Sequence, residues 1–425
     1  MPPMPSNAWM LSWPSFAVLR SITHDFAHFT GSCLEFDHDM RLALLCDDIG
    51  VIPWLDALED DPNHDLSMAA TLTDPATQLL RDRRGIRLTS RWEDLVQTFD
   101  AVLVGGSDER ELDAIKQLAN AGQRLLFLPS TSQGSTFIYE LSLIRDDNRV
   151  SLMPAVWHRC DPALVSLRNE LRAGAFGQVH LLQVQREFVS GEPSSTLPQA
   201  DIDAALLLDI DLLRWLSGDY DQVTALRTGA GNNLVRTQSV KLSGRDLPEA
   251  TWDAQAGTVA GCRFVIQTDR GSVRLERIGV GNWNLCKPDG TRREGNQIEA
   301  VREFLRRASG GTDMPMEWPE LVKLYETEDA THRSVRRRRT IDLHFEPMSE
   351  RAIFKTQMTA MGCGVLIATF LLVLVYLAIA STIPLPHAVL IGLRTLIFAP
   401  LGLFLLLQLL FPLTRPSETT AGRRE

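Results

Sequence analysis

The sequence predicts an α/β domain with an open parallel sheet, then an α+β domain with a largely antiparallel sheet, and finally two membrane-spanning helices. Three observations support this prediction. Short buried strands alternate with helical patterns in the first half, longer strands of alternating polarity follow, and two long apolar runs come near the end. The predicted segments are an N-terminal arm (1–39), the α/β domain (40–155), the α+β domain (156–346), a basic linker (347–357), two transmembrane helices (358–380 and 388–413) and a cytoplasmic tail (414–425).

The composition of the 425-residue chain narrows the classes of protein to consider. A hydrophobic content of 44% and a charged content of 23% are typical of a folded globular protein. The formal charge of −10 argues against a nucleic-acid-binding surface over most of the chain, so no nucleic acid is expected as a partner. The six cysteines are scattered without a Cys-x-x-Cys pair, so the sequence signals neither a zinc site nor a disulfide framework.

The first 39 residues do not read as a secretory signal. They contain tryptophans, prolines, histidines and acids, but no basic stretch followed by an apolar one. Two interpretations remain open for this segment: a disordered N-terminal arm, or an artefact of an upstream start codon.

The α/β prediction for the first half rests on alternation of two patterns. Apolar runs of four to seven residues, rich in Leu, Val and Ala, are typical of strands buried on both faces. They cover residues 41–46, 66–72, 101–105, 124–128 and 150–155, with helical stretches at 51–59, 75–83 and 109–121. This alternation predicts right-handed βαβ units and a parallel sheet, whose ligands bind at the carboxyl ends of the strands.

The pattern changes after about residue 155. Longer segments alternate polar and apolar residues, and Pro288-Asp-Gly290 is a turn signal between two of them. The predicted strands are 178–189, 223–228, 234–242, 262–268, 272–277, 282–287 and 291–293, and the predicted helices are 204–216, 297–307 and 317–334. These elements predict an α+β domain built on a largely antiparallel sheet.

The C-terminal region contains the two long apolar runs. Residues 358–380 carry no side chain that is charged at neutral pH, and residues 388–413 are interrupted only by Arg394 and Gln408. Since about 20 helical residues cross the hydrocarbon layer, the two runs predict a hairpin of transmembrane helices in the lipid bilayer. Arginines flank both ends, so the positive-inside bias predicts that the folded domains face the cytoplasm. The alternative is a buried hairpin in the core of a soluble protein.

Several short fragments, in order, resemble one known family of enzymes. They are Arg159-Cys-Asp-Pro162, Gly174-Ala-Phe-Gly177 with Val179, Asp211-Leu-Leu-Arg-Trp-Leu-Ser-Gly218, and Trp318-Pro-Glu320 with Ser334. Together they resemble the glucose–fructose oxidoreductase, inositol dehydrogenase and MocA (Gfo/Idh/MocA) family from about residue 40 to about residue 343. The resemblance implies a Rossmann-like first domain that binds NAD(P), and a second domain that binds substrate and packs subunits into a homodimer through its antiparallel sheet.

The sequence departs from this family at the turn expected to hold the cofactor phosphates. The family has Gly-x-Gly-x-x-Gly/Ala after the first strand, where glycines let the backbone approach a pyrophosphate. The matching positions hold Cys46, Asp48 and Val51, with Gly50 as a lone glycine nearby. Asp47 and Asp48 therefore place negative charge at this turn, where they can also act as helix caps.

The positions that carry the family's catalytic side chains are changed as well. The lysine of its Glu-Lys-Pro motif, which assists proton transfer, corresponds to Pro129, and the general acid/base histidine corresponds to Leu208. The acid that would hold the ribose hydroxyls falls near Leu72. No catalytic residue and no metal ligand is therefore predicted.

Two functions follow from these departures. The concerted loss favours a membrane-anchored, catalytically degenerate homologue: a scaffold or a sensor of a small-molecule ligand. The alternative is an active NAD(P)-dependent oxidoreductase on a sugar or polyol-like substrate with atypical cofactor seating. In that case Asp47, Asp48 and Gly50 would lie at the cofactor together with Gly105, Gly106 and Ser107, and Asp209, His158 or Arg159 would act as polar groups of the cleft.

Overall fold

The computed structural model describes residues 40–343 except for 60, 82, 84, 191–194, 230–233, 280 and 311–312, and further along residues 367–377 and positions 392, 395 and 397. The predicted arm (1–39), linker (347–357) and tail (414–425) lie outside the described residues. The chain forms two compact units, Met1–Leu343 and His344–Glu425, and both sheets belong to the first.

The first sheet has six parallel strands in the order β3-β2-β1-β4-β5-β6. Its elements are β1 (Met40–Leu45), α1 (Ile52–Leu58), β2 (His64–Ala70), α2 (Asp74–Leu80), β3 (Arg87–Thr89), β4 (Ala101–Val104), α3 (Glu109–Asn120), β5 (Leu125–Phe127), α4 (Gly134–Asn148) and β6 (Leu152–Pro154). The predicted Rossmann-like parallel sheet is therefore confirmed. The strand order reverses between β1 and β4, so the ligand-binding edge of such a sheet lies where these two strands end.

The second sheet has ten strands, with β15-β14-β13-β12-β7-β11-β10-β9-β16 in order and β8 paired to β10. Its strands are β7 (Val179–Val189), β8 (Leu197–Pro198), β9 (Gln222–Gly229), β10 (Leu234–Ser243), β11 (Glu249–Gly257), β12 (Gly261–Thr268), β13 (Gly271–Ile278), β14 (Asn284–Cys286), β15 (Arg292–Glu294) and β16 (Ile341–Asp342). The helices of this half are α5 (Pro162–Arg172), α6 (Gln199–Ser217), α7 (Gln297–Gly310) and α8 (Trp318–Arg337). The sheet is mixed, because β7 and β11 pair in parallel at its centre.

Helices from the second half pack against the first sheet. Trp54 of α1 is fully buried and meets Phe304 of α7 edge to face, with ring centroids 5.1 Å apart. Trp318 of α8 donates its indole N–H to the Ser142 hydroxyl of α4 at 2.7 Å. These contacts bury large aromatic surfaces between the two sheets' helices, so both halves contribute to one core.

The predicted localisation as a membrane protein with two spans is wrong. No helix among the described residues is long and apolar enough to cross a membrane. The described helical stretch 367–377 measures about 16 Å, roughly half of the hydrocarbon thickness. The remainder of both predicted spans, 358–380 and 388–413, lies outside the described residues apart from positions 392, 395 and 397.

Candidate functional site

The turn after β1 is closed by its own carboxylate. Asp48 caps the short 3-10 turn that leads into α1, because its Oδ1 accepts a hydrogen bond from the Gly50 amide at 2.7 Å. The Asp48 amide in turn lies 3.3 Å from the Cys46 thiol. The amide of Gly50 is thus already bound to a side chain at the end of β1, where this class of sheet offers free amides to a phosphate.

Asp47 ties this turn to the loop after β4. Its Oδ1 accepts from the Ser107 amide at 2.9 Å, and its Oδ2 lies 3.3 Å from the Ser107 hydroxyl. Between them, Gly106 has a φ of +149°, and a Cβ atom there would lie 3.0 Å from Asp47 Oδ1 and against the carboxyl of Glu111. Only glycine fits this position without displacing a carboxyl group.

Glu111 is the most unusual group at this edge. It is fully buried on α3, and its Oε1 accepts from the Thr73 hydroxyl at 3.2 Å. Burial, followed by the negative charge of Asp47, raises the pKa of Glu111 to about 8. The side chain is therefore mostly protonated at neutral pH, when it can share its proton with the neighbouring Asp47 carboxylate.

These residues form one group, which we call the carboxyl-edge cluster: Asp47, Thr73, Ser107 and Glu111. They follow β1, β2 and β4, so the cluster ties together three loops at the ligand-binding edge of the first sheet. Sequence reasoning identified Asp47 and Ser107 but missed Thr73 and Glu111. A signal was present, because Glu111 lies on the apolar face of α3 with Ala114, Ile115 and Leu118.

The loop after β5 carries Pro129 and is held from the second half of the chain. The Tyr325 hydroxyl on α8 lies 2.9 Å from the Ser130 carbonyl oxygen and 2.7 Å from Gln133 Oε1. Gln133 also donates to the Leu128 carbonyl at 3.0 Å. Pro129 thus lies in a loop fixed by hydrogen bonds, and its side chain has no group that transfers a proton.

The position of the family's histidine is occupied by an exposed apolar side chain. Leu208 on α6 is 39% exposed. The next residue, Asp209, is buried in a bidentate pair with Arg186, at 2.6 and 3.0 Å, and accepts from the Trp252 indole at 2.8 Å. Asp209 therefore stabilises the second sheet and is not presented to a ligand.

His158 and Arg159 belong to a second buried ion pair. Arg159 contacts the two oxygens of Asp211 at 2.6 and 3.1 Å, and His158 Nε2 lies 2.8 Å from Asp211 Oδ2. Burial raises the pKa of Asp211, but the charge of Arg159 and the hydrogen bond from His158 outweigh burial and hold the pKa below its usual value. Arg159 also bonds Glu320 at the start of α8, at 2.7 Å. These contacts join the 3-10 turn before α5 to α6 and α8.

The residues at the edge of the first sheet do not fit a dinucleotide pyrophosphate. Asp47 and Asp48 bring negative charge to the turn, and the Gly50 amide of this turn already donates to Asp48. Gly105 packs closely against the neighbouring strand ends, since a Cβ there would lie 3.0 Å from Leu128 and 3.1 Å from the Cys46 thiol. Within the described part of the chain, no group of three or more His, Cys, Asp or Glu side chains could hold a metal ion.

Comparison with known proteins extends the result for the fold. No family model matches the chain, and no curated protein matches it. Solved structures do match. An oxidoreductase from Agrobacterium radiobacter in complex with NAD+, L-tartaric acid and magnesium is 15% identical, with a TM-score of 0.59, over 72% of this chain and 98% of that one.

Two further structures show the same fold. Apo scyllo-inositol dehydrogenase from Lactobacillus casei is 12% identical, with a TM-score of 0.57, over 72% of this chain and 99% of that one. The WlbA dehydrogenase from Bordetella pertussis, in complex with NADH and UDP-GlcNAcA, is 17% identical, with a TM-score of 0.56, over 73% and 99%. The structural neighbours are oxidoreductases of the Gfo/Idh/MocA type, so the resemblance found in the sequence is confirmed for the fold.

Proposed function

We propose that this protein uses the fold of NAD-dependent sugar and polyol dehydrogenases without their reaction, and acts as a sensor or scaffold that binds a small molecule. The observation that carries the proposal is the carboxyl-edge cluster. Its side chains bond one another in the place where a dinucleotide's phosphates would lie.

The charge at this edge works against a dinucleotide. Two unit charges of the same sign 4 Å apart repel by about 4 kcal/mol at the effective dielectric constant of a protein surface. A phosphate placed beside Asp47 would meet this repulsion. It would also have to compete with Asp47 for the Ser107 amide, which already donates to that carboxylate. Since about 1.4 kcal/mol corresponds to a factor of ten, one such contact weakens binding by roughly a thousandfold.

The residues at the two positions that carry proton transfer in the family also support the proposal. Alcohol oxidation needs a group that takes the hydroxyl proton, and a positioned acid or base accelerates such steps by about 10²–10⁴. Pro129 and Leu208 offer no such group. The buried carboxylates nearest to Leu208 along α6, Asp209 and Asp211, are each paired with an arginine.

An active NAD(P)-dependent oxidoreductase with altered cofactor seating is the second candidate. Two observations favour it. Some structural neighbours were solved with NAD+ or NADH. In addition, the raised pKa of Glu111 removes one negative charge from the edge at neutral pH.

A turnover assay separates the two candidates. The purified full-length chain is incubated with NAD+ or NADP+ and a panel of polyols, sugars and hydroxy acids, and reduced nicotinamide is followed by absorbance. We expect no more reduced nicotinamide than in the protein-free blank, from a sample whose thermal unfolding shows that the protein is folded. Turnover of any substrate in the panel would overturn the proposal in favour of the enzyme.

A further inference from the structure

Three side chains form a row across the buried face of the second sheet. Cys262 on β12 lies directly opposite Arg186 on β7 and opposite Arg277 on β13. Directly paired residues on antiparallel strands point to the same face, with Cβ atoms about 5 Å apart. We call these three residues the arginine row. It places two guanidinium groups on either side of one buried thiol.

The two arginines differ in what neutralises them. Arg186 is held by both oxygens of Asp209, at 2.6 and 3.0 Å. Among the described residues, no carboxylate lies within salt-bridge distance of Arg277, although its Nε atom is buried. The Arg277 guanidinium instead stacks on the ring of Trp283, 4.7 Å from the ring centroid.

Trp283 adds a second donor without an acceptor. Its side chain is 2% exposed and packs edge to face against Phe264, yet its indole N–H has no hydrogen-bond acceptor in the described part of the chain. Buried N–H groups are nearly always hydrogen-bonded, because an unbonded donor loses its water without compensation. These two neighbouring donors, one of them charged, can bond an acceptor from outside the chain.

Two carboxylates influence the charge of Arg277, and both are bonded to other groups. Burial, followed by the positive charge of Arg186, lowers the pKa of Arg277, and the thiol of Cys262 with the carboxylates of Asp209 and Asp161 act in the opposite direction. Asp209 is already bound to Arg186 and Asp161 caps α5, where it accepts from the Ala163 amide at 2.9 Å. Neither carboxylate is in contact with the Arg277 guanidinium.

We infer that Arg277 and Trp283 bind an oxyanion group of a small molecule, either a carboxylate or a phosphate. The guanidinium supplies charged donors in a planar fork, and the indole supplies a further N–H. The Arg277 side chain as a whole is only partly buried. The inference deepens the proposed function by giving the chemical class of ligand, and it rests on that proposal only in treating the bound molecule as a ligand and not a substrate.

The test uses the full-length chain and simple anions. Sodium phosphate and sodium acetate are titrated in separate experiments, with ionic strength held constant by sodium chloride, while the thermal midpoint and tryptophan fluorescence are recorded. We expect a saturable rise in the midpoint with at least one of the two anions, and the stronger of them identifies the ligand as phosphate-bearing or carboxylate-bearing.

Variants locate the response. Arg277→Met removes the charge and keeps an unbranched side chain, and Trp283→Phe keeps the stack but removes the N–H. Since charge-assisted hydrogen bonds are the strong ones, we expect Arg277→Met to weaken the anion response by roughly tenfold or more, and Trp283→Phe by a few-fold. Arg274→Met is the matched control, because Arg274 is exposed on the opposite face of the same strand, and its response should equal that of the unmodified chain.

Two results would overturn the inference: a response to both anions no larger than that to sodium chloride, or an unchanged response in folded Arg277→Met. The first would leave Arg277 as a stacked arginine with ordered water. Neither result depends on the turnover assay. A failure of this inference can therefore be distinguished from a failure of the proposed function, because a different experiment tests each.

Discussion

The carboxyl-edge cluster and the arginine row differ in how their buried polar groups are hydrogen-bonded. In the cluster, the Thr73 hydroxyl and the Ser107 amide donate to carboxyl oxygens of Glu111 and Asp47, although Glu111 Oε2 has no hydrogen-bond partner among the described residues. Beside the row, the Nε atom of Arg277 and the indole N–H of Trp283 have no acceptor in the described part of the chain. Under the proposals above, the first sheet therefore binds no dinucleotide, whereas the second sheet binds an anion.

Both regions lie in the same compact unit of the chain. Among the substitutions considered, that of Asp211 should lower the free energy of unfolding of this unit most. Asp211→Ala leaves Arg159 and His158 buried without their carboxylate. Breaking a buried ion pair from one side typically costs about 3–5 kcal/mol, which we expect as the loss in free energy of unfolding in urea. Asp253→Ala is the control, since Asp253 is exposed, and it should change stability by less than about 0.5 kcal/mol. A loss below about 1 kcal/mol for Asp211→Ala would contradict this account of the scaffold.

The second effect tests the buried carboxyl group in the cluster. The ordinary pKa of a glutamate is 4.5, and burial with the charge of Asp47 raises that of Glu111 to about 8. The folded protein therefore keeps a proton that the unfolded chain has released, so the free energy of unfolding falls as pH rises between these two values. The full slope for one proton is about 1.4 kcal/mol per pH unit, and between about pH 5 and about pH 8, where the slope is partial at both ends, we expect a loss of roughly 3 to 4 kcal/mol.

Glu111→Gln should remove this loss, because the amide stays neutral at every pH. Glu109→Gln, in the exposed first turn of the same helix, should leave the pH dependence unchanged. Urea unfolding from about pH 5 to about pH 8 measures both variants. Equal slopes in Glu111→Gln and the unmodified chain would show that Glu111 is ionised in the folded protein.

The smallest effect tests how tightly the cluster is packed. Gly106→Ala would force a side chain into a left-handed backbone region and against Glu111, and we expect a loss of about 2 kcal/mol in unfolding free energy. Gly122→Ala is matched for backbone strain, with φ of +77°, but no atom lies within 4 Å of the new methyl group. It should cost about 1 kcal/mol, and an equal cost at the two positions would indicate that the cluster is loosely packed.

The sequence predicted those parts of the fold that depend on local pattern. The buried runs of the first sheet are apolar on both faces, so β1 and β4 could be found within one or two residues. β11 was missed because its inward positions are three alanines and one tryptophan, Ala250, Trp252, Ala254 and Ala256, which give a weak strand signal.

The candidate sites were less accessible to sequence reasoning because each depends on distant residues. Asp47 was found from its position after β1. The Glu111 carboxyl beside it lies on α3, which is distant in the sequence. Arg277 continues the inward alternation of Val273 and Leu275, so its face could be read from the strand. That Trp283 folds back onto it, and that no carboxylate joins it among the described residues, emerges only from the register of the strands.

The most direct test of the closed first sheet is the affinity of the full-length chain for NADH and NADPH, measured by calorimetry before and after removing its charge. We predict no binding up to millimolar concentration for the unmodified chain. We also predict measurable binding, at least roughly tenfold tighter, for the double variant Asp47→Asn, Asp48→Asn, in which both carboxylates become neutral. A micromolar Kd for the unmodified chain, about −8 kcal/mol, would contradict the account, because it would mean that a dinucleotide binds despite these carboxylates.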